Sequence, residues 1–222
     1  MLDMNILAFA DFHGQQDSCD SARRLIATEQ PDFVVVAGDI VDYDAELAKR
    51  LLLELGKAER PIYFIPGNMD SPTLKDWAGE GQVHAIHGRC ERVAGIGLIG
   101  LGGSPCGSVK TPFQYMEQEA GQLLESLVKS SGRQELILVC HCPPRGTKVD
   151  QVVAGEHAGS LSIRRFVENT QPTLVISGHV HEAQGIDRIG LTTTINTGPA
   201  KSGCFARVSL TDHVTVTFGD LY

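Results

Sequence analysis

The sequence predicts a layered α/β fold with two mixed central sheets and helices on both outer faces. The first 70 residues alternate apolar runs with amphipathic stretches in the order β-α-β-α-β, which is typical of parallel strands joined by crossover helices. From Gly185 onward the chain instead alternates short strands with turn residues. The chain has 222 residues, 42% of them hydrophobic, so we expect one soluble domain spanning residues 1–222.

The first five elements follow from apolar runs that stop at polar clusters and from helical spacing between them. Pro31 marks the end of the first helix, and the second helix places Leu47, Leu51 and Leu55 on one face. In chain order we expect strand 5–10, helix 18–29, strand 33–37, helix 45–58 and strand 62–65.

The remaining elements are shorter and more varied. Glycines separate three short segments that we interpret as antiparallel strands or hairpins, and an amphipathic helix follows them. Ser160 is a suitable N-cap for the last helix. The expected elements are strands 83–86, 91–93 and 95–101, helix 113–128, strand 135–139, loop 145–159, helix 160–168, and strands 173–177, 185–189, 192–196, 204–210 and 214–218.

Charge and composition exclude several classes of function. The net charge is -8 and no basic cluster is present, which argues against a nonspecific nucleic-acid binder. No segment approaches the roughly 20 apolar residues of a membrane helix, and the N-terminus lacks the features of a signal peptide. We therefore expect a cytoplasmic protein. The chain is long for a disulfide-stabilised mini-protein and lacks a signal peptide, so we expect its six cysteines to be free thiols. They form no C-x-x-C pair, which argues against a zinc ribbon.

Polar side chains follow five of the predicted strands, at the edge where ligands bind in α/β sheets. Asp11 and His13 are two residues apart, as are His179 and His181, so each pair can face one site from extended chain. A divalent cation is the usual way to stabilise so many ionisable groups in one place. Carboxylate, imidazole and amide ligands indicate a site for Mn, Fe, Zn or Ni rather than a zinc site made of thiolates. The cysteines on either side of His141 point away from it and are expected to pack in the core.

The order of these clusters resembles the five motif blocks of the calcineurin-like metallophosphoesterase superfamily, and in particular its small phosphodiesterase-like branch. Each block alone is weak, whereas all five in order are specific. The blocks are Asp11-x-His13, Gly38-Asp39-x-x-Asp42, Gly67-Asn68-x-Asp70, His141 and Gly178-His179-x-His181. The resemblance implies a four-layer α/β/β/α sandwich and hydrolysis of a phosphate ester by a hydroxide held between two divalent metal ions, with Mn favoured and Fe, Ni, Zn or Mg possible.

The resemblance also implies a role for each matching position. One metal would be held by Asp11, His13 and His181, the other by Asn68, His141 and His179, and Asp39 would bridge the two. Asp42 and Asp70 lie outside this set. They either orient ligands through hydrogen bonds or cap loops, and the sequence leaves both alternatives open.

One position departs from the pattern, because Met69 stands where many members of the superfamily have a proton-donating histidine. A methionine cannot transfer a proton, so we expect a phosphodiester rather than a monoester as substrate, or another acid. His157, in a polar loop, is the candidate for contacting the substrate phosphate or donating that proton. The alternative is a solvated loop histidine. Asn196 begins a segment that either closes the pocket rim or simply forms a turn.

The expected partner is a small phosphorylated substrate, and a homo-oligomer is possible. The rival interpretations are a phosphomonoesterase, a nuclease of the same fold and a non-catalytic scaffold. A scaffold would be expected to have lost metal ligands, and this chain retains all seven.

Overall fold

The computed structural model describes residues 4–107, 109–132 and 135–222. Four α-helices are present in these residues: α1 (Gln16–Glu29), α2 (Ala45–Gly56), α3 (Glu117–Ser131) and α4 (Leu161–Thr170). The strands are β1 (Met4–Phe9), β2 (Phe33–Ala37), β3 (Ile62–Ile65), β4 (Val83–Ala85), β5 (Cys90–Val93), β6 (Ile96–Leu101), β7 (Ser104–Pro105), β8 (Gln114–Tyr115), β9 (Leu136–Cys140), β10 (Leu174–Ser177), β11 (Gly185–Ile189), β12 (Thr192–Asn196), β13 (Cys204–Leu210) and β14 (Val214–Asp220). Short 3-10 helices cover Pro72–Asp76, Lys148–Asp150, His181–Ala183 and Ala200–Ser202.

Two six-stranded mixed sheets form the centre of the protein. The first has the order β14-β13-β1-β2-β3-β4, and the second has the order β11-β12-β10-β9-β6-β5. Strands β1 to β4 pair in parallel, while β13 and β14 add an antiparallel edge. In the second sheet β6, β9, β10 and β12 are parallel. The parallel strands of each sheet therefore end at a common edge.

Three apolar layers hold these sheets together. In β2, Val34 and Val36 pack toward α1 and α2, whereas Val35 packs into the layer between the two sheets. The third layer lies between the second sheet and helices α3 and α4. Since the central strands are buried on both faces, they read as continuous apolar runs in the sequence. This arrangement is the α/β/β/α sandwich that the sequence predicts.

The structure corrects two of the predicted elements. Strand β4 is not part of an antiparallel unit, because it pairs in parallel with β3 at the edge of the first sheet. Helix α3 begins at Glu117, four residues after the predicted start at Phe113. Phe113 donates its backbone N–H to the carbonyl of Asn68 (3.1 Å), and the residues after it form the short strand β8 beside β7. Long-range pairing thus takes these residues out of the amphipathic helix that their spacing suggests.

Other predicted features are confirmed. β5 and β6 form an antiparallel hairpin, and the Ser160 side chain caps α4 by accepting the N–H of Ile163 (3.2 Å). All six cysteines are free thiols. Cys140 and Cys142 are buried in the apolar layer beneath α3 and α4. Among the described helices, none has the length and apolar character needed to cross a membrane.

Candidate metal centre

The loops that follow β1, β2, β3, β9 and β10 bring the motif side chains together at one edge of the two sheets. Backbone hydrogen bonds tie these loops to each other. Asp11 N–H donates to Gly38 O (2.9 Å), His13 N–H to Asp39 O (3.0 Å) and Gly178 N–H to His141 O (3.1 Å). These bonds hold the loops within each sheet, and the N–H of His179 in the second sheet crosses to Asp11 Oδ2 in the first (3.0 Å).

One group of donor atoms consists of a carboxylate and two imidazoles. His13 Nε2 lies 3.3 Å from His181 Nε2 and 3.9 Å from Asp11 Oδ1. His181 Nε2 lies 3.4 Å from the same oxygen. Asp11 is fully buried, whereas the His13 and His181 side chains are 14% and 34% exposed, so this group faces the opening of the site.

A second group surrounds His141, which is fully buried. Its Nε2 lies 2.9 Å from Asn68 Oδ1 and 3.4 Å from Asp39 Oδ2. The His179 ring is next to it, with 5.0 Å between the ring centroids. The backbone N–H of His179 donates to Asp11 Oδ2 (3.0 Å), which links this group to the first.

Asp39 lies between the two groups. Its Oδ2 is 3.4 Å from His141 Nε2 and 3.8 Å from His13 Nε2. Its Oδ1 accepts the backbone N–H of Met69 (2.8 Å), which holds the carboxylate in this orientation. This is the position that a bridging ligand would occupy.

Hydrogen bonds to the other ring nitrogen orient two of the histidines. His141 Nδ1 lies 2.8 Å from the carbonyl oxygen of Ala37, and His13 Nδ1 lies 2.7 Å from Asp42 Oδ1. Both partners are acceptors, so in each ring Nδ1 carries the hydrogen and donates it. Metal binding requires neutral rings, and in that state these Nδ1 contacts direct the Nε2 lone pairs into the cluster.

The donor set fits divalent metal ions. Asp11 Oδ1 is buried and has no hydrogen-bond partner, which is costly for a carboxylate unless a cation satisfies it. Metal–nitrogen bonds of about 2.0–2.1 Å place neighbouring donors about 3.0–3.4 Å apart. Two separations of the first group, 3.3 and 3.4 Å, fall in that range, whereas the third, between His13 Nε2 and Asp11 Oδ1, is longer at 3.9 Å. The oxygen and imidazole composition matches the chemistry of Mn, Fe, Ni or Zn.

A comparison with protein families decides which family this arrangement represents. The family model described as calcineurin-like phosphoesterase matches residues 4–183. The chain belongs to the calcineurin-like phosphoesterase family. Members of this family are metal-dependent phosphoesterases, in agreement with the donor cluster.

Relatives and solved structures are consistent with this assignment. An uncharacterized protein of Methanocaldococcus jannaschii is 30% identical over 200 residues, which cover 88% of each protein. A solved structure from Thermus thermophilus has a TM-score of 0.80 at 16% identity and covers 100% of both chains. A dimetal phosphatase from Danio rerio has a TM-score of 0.69 at 13% identity, covering 99% of this chain and 96% of the other. At these identities the two solved structures show a shared fold.

Electrostatics in this phosphoesterase cluster indicate a need for positive charge. Burial would raise the pKa of Asp39, but the charge and hydrogen bond of His141 hold that pKa below its usual range. Burial opposes protonation of His141, yet Asp39 raises its pKa to about 9. His179 is different, because burial and the neighbouring His141 charge lower its pKa to about 4. In the metal-free protein, a proton on His141 thus offsets the negative charge of the carboxylate.

The backbone at the cluster is strained. Four of the motif residues adopt a left-handed conformation, with φ of +59° at Asp11, +46° at His13, +50° at Asp39 and +70° at His179. Such conformations cost about 1–3 kcal/mol each and concentrate at functional sites. Gly38 is needed for close approach, since a Cβ there would lie 2.6 Å from His141 Nδ1.

The two extra aspartates of the motif blocks have different contacts. Asp42 is partly exposed and accepts from His13 Nδ1, which orients that imidazole. Asp70 is fully buried and accepts the backbone N–H groups of Ile40 (3.1 Å), Val41 (2.9 Å) and Gly67 (2.7 Å). Burial, followed by the negative charge of Asp39, raises the pKa of Asp70 to about 7. Of the two alternatives that the sequence left open, Asp42 makes the contact of an orienting group and Asp70 that of a loop cap.

His157 lies in a hairpin-like loop rather than in the donor cluster. Its Nδ1 is 2.8 Å from Asp150 Oδ1, and its side chain is 38% exposed. Within the described residues, no hydrogen bond or ion pair joins His157 to the motif side chains. Asp150, which the sequence analysis did not single out, is fully buried and also accepts the N–H groups of Gly146 (3.1 Å) and Gly159 (3.0 Å). No sequence motif signals this aspartate, because its importance comes from the fold of the loop.

Proposed function

We propose that this protein is a phosphodiesterase that hydrolyses a small phosphate ester with two divalent metal ions, manganese first among them. The observation that carries the proposal is the cluster of inward-facing donors around Asp11 Oδ1, a buried oxygen without a hydrogen-bond partner. When bound, the two ions would neutralise phosphoryl oxygens and lower the pKa of a water molecule to supply the nucleophile.

In this proposal each motif residue keeps the role that the family resemblance implies. Asp39 bridges the two metal positions. The ligands of one position are Asp11, His13 and His181, and those of the other are Asn68, His141 and His179. The anchored Nδ1 atoms of His13 and His141 support these assignments, because they leave Nε2 free to ligate.

The preference for diesters rests on Met69. Its thioether has no proton to transfer, so the leaving group has to be protonated by another residue or be a good leaving group itself. We propose that His157 contacts the substrate phosphate or donates this proton. Asp150 accepts from Nδ1 and thereby leaves Nε2 available in a partly exposed ring.

Hydrolysis of two model substrates tests the main proposal. Chelated protein is resupplied with Mn, Ni, Zn or Mg and assayed with bis-p-nitrophenyl phosphate and p-nitrophenyl phosphate. We expect metal-dependent cleavage of the diester that Asp39→Asn abolishes. Cleavage of the monoester alone would indicate a phosphatase instead. No turnover with any metal, together with no bound metal, would contradict the enzymatic proposal and favour a scaffold.

The role of His157 is tested with leaving groups of different basicity. A proton donor matters little for p-nitrophenol and much for an alkyl alcohol, so His157→Ala should slow an alkyl diester about 100-fold while sparing the p-nitrophenyl diester. His213→Ala, at an exposed turn, is the matched control and should leave both rates unchanged. Equal rates for His157→Ala and the unmodified protein on every diester would refute the assignment.

A further inference from the structure

Asn196, the last residue of β12, is a fully buried amide at the carboxyl edge of the second sheet. It lies next to Ser177 at the end of β10, just before the turn that contains His179 and His181. Asn196 Nδ2 is 2.8 Å from Val180 O and 3.1 Å from Gly178 O. Asn196 Oδ1 accepts the N–H of Gly198 (2.9 Å), so the orientation of the amide is fixed.

These contacts hold the chain on both sides of His179. Gly178 O precedes His179 and Val180 O follows it, so one amide group binds both flanking carbonyls. His179 itself adopts φ +70°, a conformation that needs support from surrounding contacts. The Val180 N–H donates to Gly178 O (2.8 Å), which keeps the turn tight. The amide is therefore bound to the turn on both sides of the residue that carries one of its imidazoles.

The same amide reaches a second loop. Asn196 Nδ2 is also 3.1 Å from Val149 O. Val149 immediately precedes Asp150, the carboxylate that holds His157. The two N–H groups of the amide thus serve three carbonyls. They connect the turn of the metal cluster with the loop of the proposed proton donor.

We propose that Asn196 is a positioning residue of the metal centre, whose side-chain amide holds the His179–His181 turn in the conformation that presents both imidazoles to the metal ions. A serine or alanine at this position could not reach carbonyls on both sides of His179. The inference rests on the proposed metal centre, and its test measures metal affinity rather than ester hydrolysis.

The test is a calorimetric titration of Mn²⁺ into chelated protein, for the unmodified chain and for Asn196→Ala. Loss of a group that orients ligands typically weakens metal binding 10- to 100-fold, which is the expected change here. Thermal unfolding in chelator measures any general loss of stability. A positioning role is identified if Asn196→Ala raises the Mn²⁺ dissociation constant more than a control variant with the same loss of Tm does.

Two neighbouring substitutions serve as matched controls. Ser177→Ala removes a buried hydrogen bond from Ser177 Oγ to Ile195 O (2.7 Å) without touching the turn. Thr194→Val changes a buried side chain of β12 whose hydroxyl has no hydrogen-bond partner. Both should bind Mn²⁺ within about twofold of the unmodified protein.

Unchanged Mn²⁺ affinity in Asn196→Ala would overturn the inference, as would equal losses of affinity in Ser177→Ala at the same loss of stability. If Asn196→Ala does not fold, Asn196→Ser, which retains a single hydrogen-bond donor, is measured in its place. An Mn²⁺ affinity equal to that of the unmodified protein would again overturn the inference. Unmodified protein that binds Mn²⁺ but cleaves no ester would refute the proposed function and leave this test intact.

Discussion

Removal of the Asp42 carboxylate should weaken metal binding about tenfold. Asp42 Oδ1 lies 2.7 Å from His13 Nδ1, and the hydrogen bond is assisted by the charge of the carboxylate. Such bonds contribute about 1.5–3 kcal/mol. The Asp42 side chain is 45% exposed, so solvent screening places the effect near the lower end of that range. About 1.4 kcal/mol corresponds to a tenfold change in a dissociation constant.

Paired substitutions separate the orientation of His13 from the charge of Asp42. Asp42→Asn keeps an oxygen that can accept from His13 Nδ1, and it should retain affinity within about threefold. Asp42→Ala leaves the ring unheld and should show the full loss. Glu125→Ala, on the exposed face of α3, removes the same charge elsewhere and serves as the control.

The assay is a titration of chelated protein with Mn²⁺, followed by calorimetry. Unchanged Mn²⁺ affinity in Asp42→Ala would show that His13 does not depend on its carboxylate partner and would contradict this prediction. Equal losses in Asp42→Ala and Glu125→Ala would also refute it, since general electrostatics and not ring orientation would be responsible.

Three further predictions concern packing, pH dependence and thiol reactivity. A Cβ on Gly67 would collide with the Asp39 carboxylate, so Gly67→Ala should reduce metal-dependent hydrolysis about 100-fold. Gly107→Ala is the control and should retain activity, because no atom lies within 4 Å of a Cβ at that position. Burial would raise the pKa of Glu117, but hydrogen bonds from the start of α4 hold that pKa below its ordinary value. Ionised Glu117 therefore stabilises the folded protein at neutral pH, and this stabilisation is lost as the pH falls through the lowered pKa. The difference in Tm between the unmodified protein and Glu117→Gln should shrink below about pH 4, and a constant difference from pH 7 to 3 would contradict this. Burial raises the pKa of the buried thiols, so iodoacetamide at pH 8 should first modify the exposed Cys106. Mass spectrometry of the native protein measures the order of labelling, and earlier labelling of a buried cysteine would contradict this prediction.

Much of the fold could be predicted because its signals are local. The apolar run of β2 is buried on both faces, and the same run is visible in the sequence. The start of α4 followed from Ser160, whose hydroxyl needs only a residue three positions away. In contrast, the sequence predicts antiparallel pairing for β4, which is wrong, because a three-residue strand carries no information about its neighbour. The sequence also predicts a start of α3 that is four residues too early, because the contact between Phe113 and Asn68 is not local.

The candidate site shows the same division. The motif blocks placed Asp11, Asn68 and the other polar residues at strand ends, and the structure brings their side chains together. Their roles as ligands remain predictions until metal is measured. The Asp150–His157 contact and the contacts of Asn196 were not foreseen, since they depend on how separate loops pack against one another.

Neighbouring positions along the chain specify which residues end the strands and which chemical groups they carry, because strand and motif patterns are local. The orientation of those groups depends on contacts between residues that are far apart in the chain. Ala37 directs the ring of His141 from 104 residues away, and Asp42 directs that of His13 from 29 residues away. The Asp42–His13 contact forms when β1 and β2 pair and their loops meet, and the Ala37–His141 contact forms when the two sheets pack. The orientation of each imidazole is therefore a property of the assembled fold.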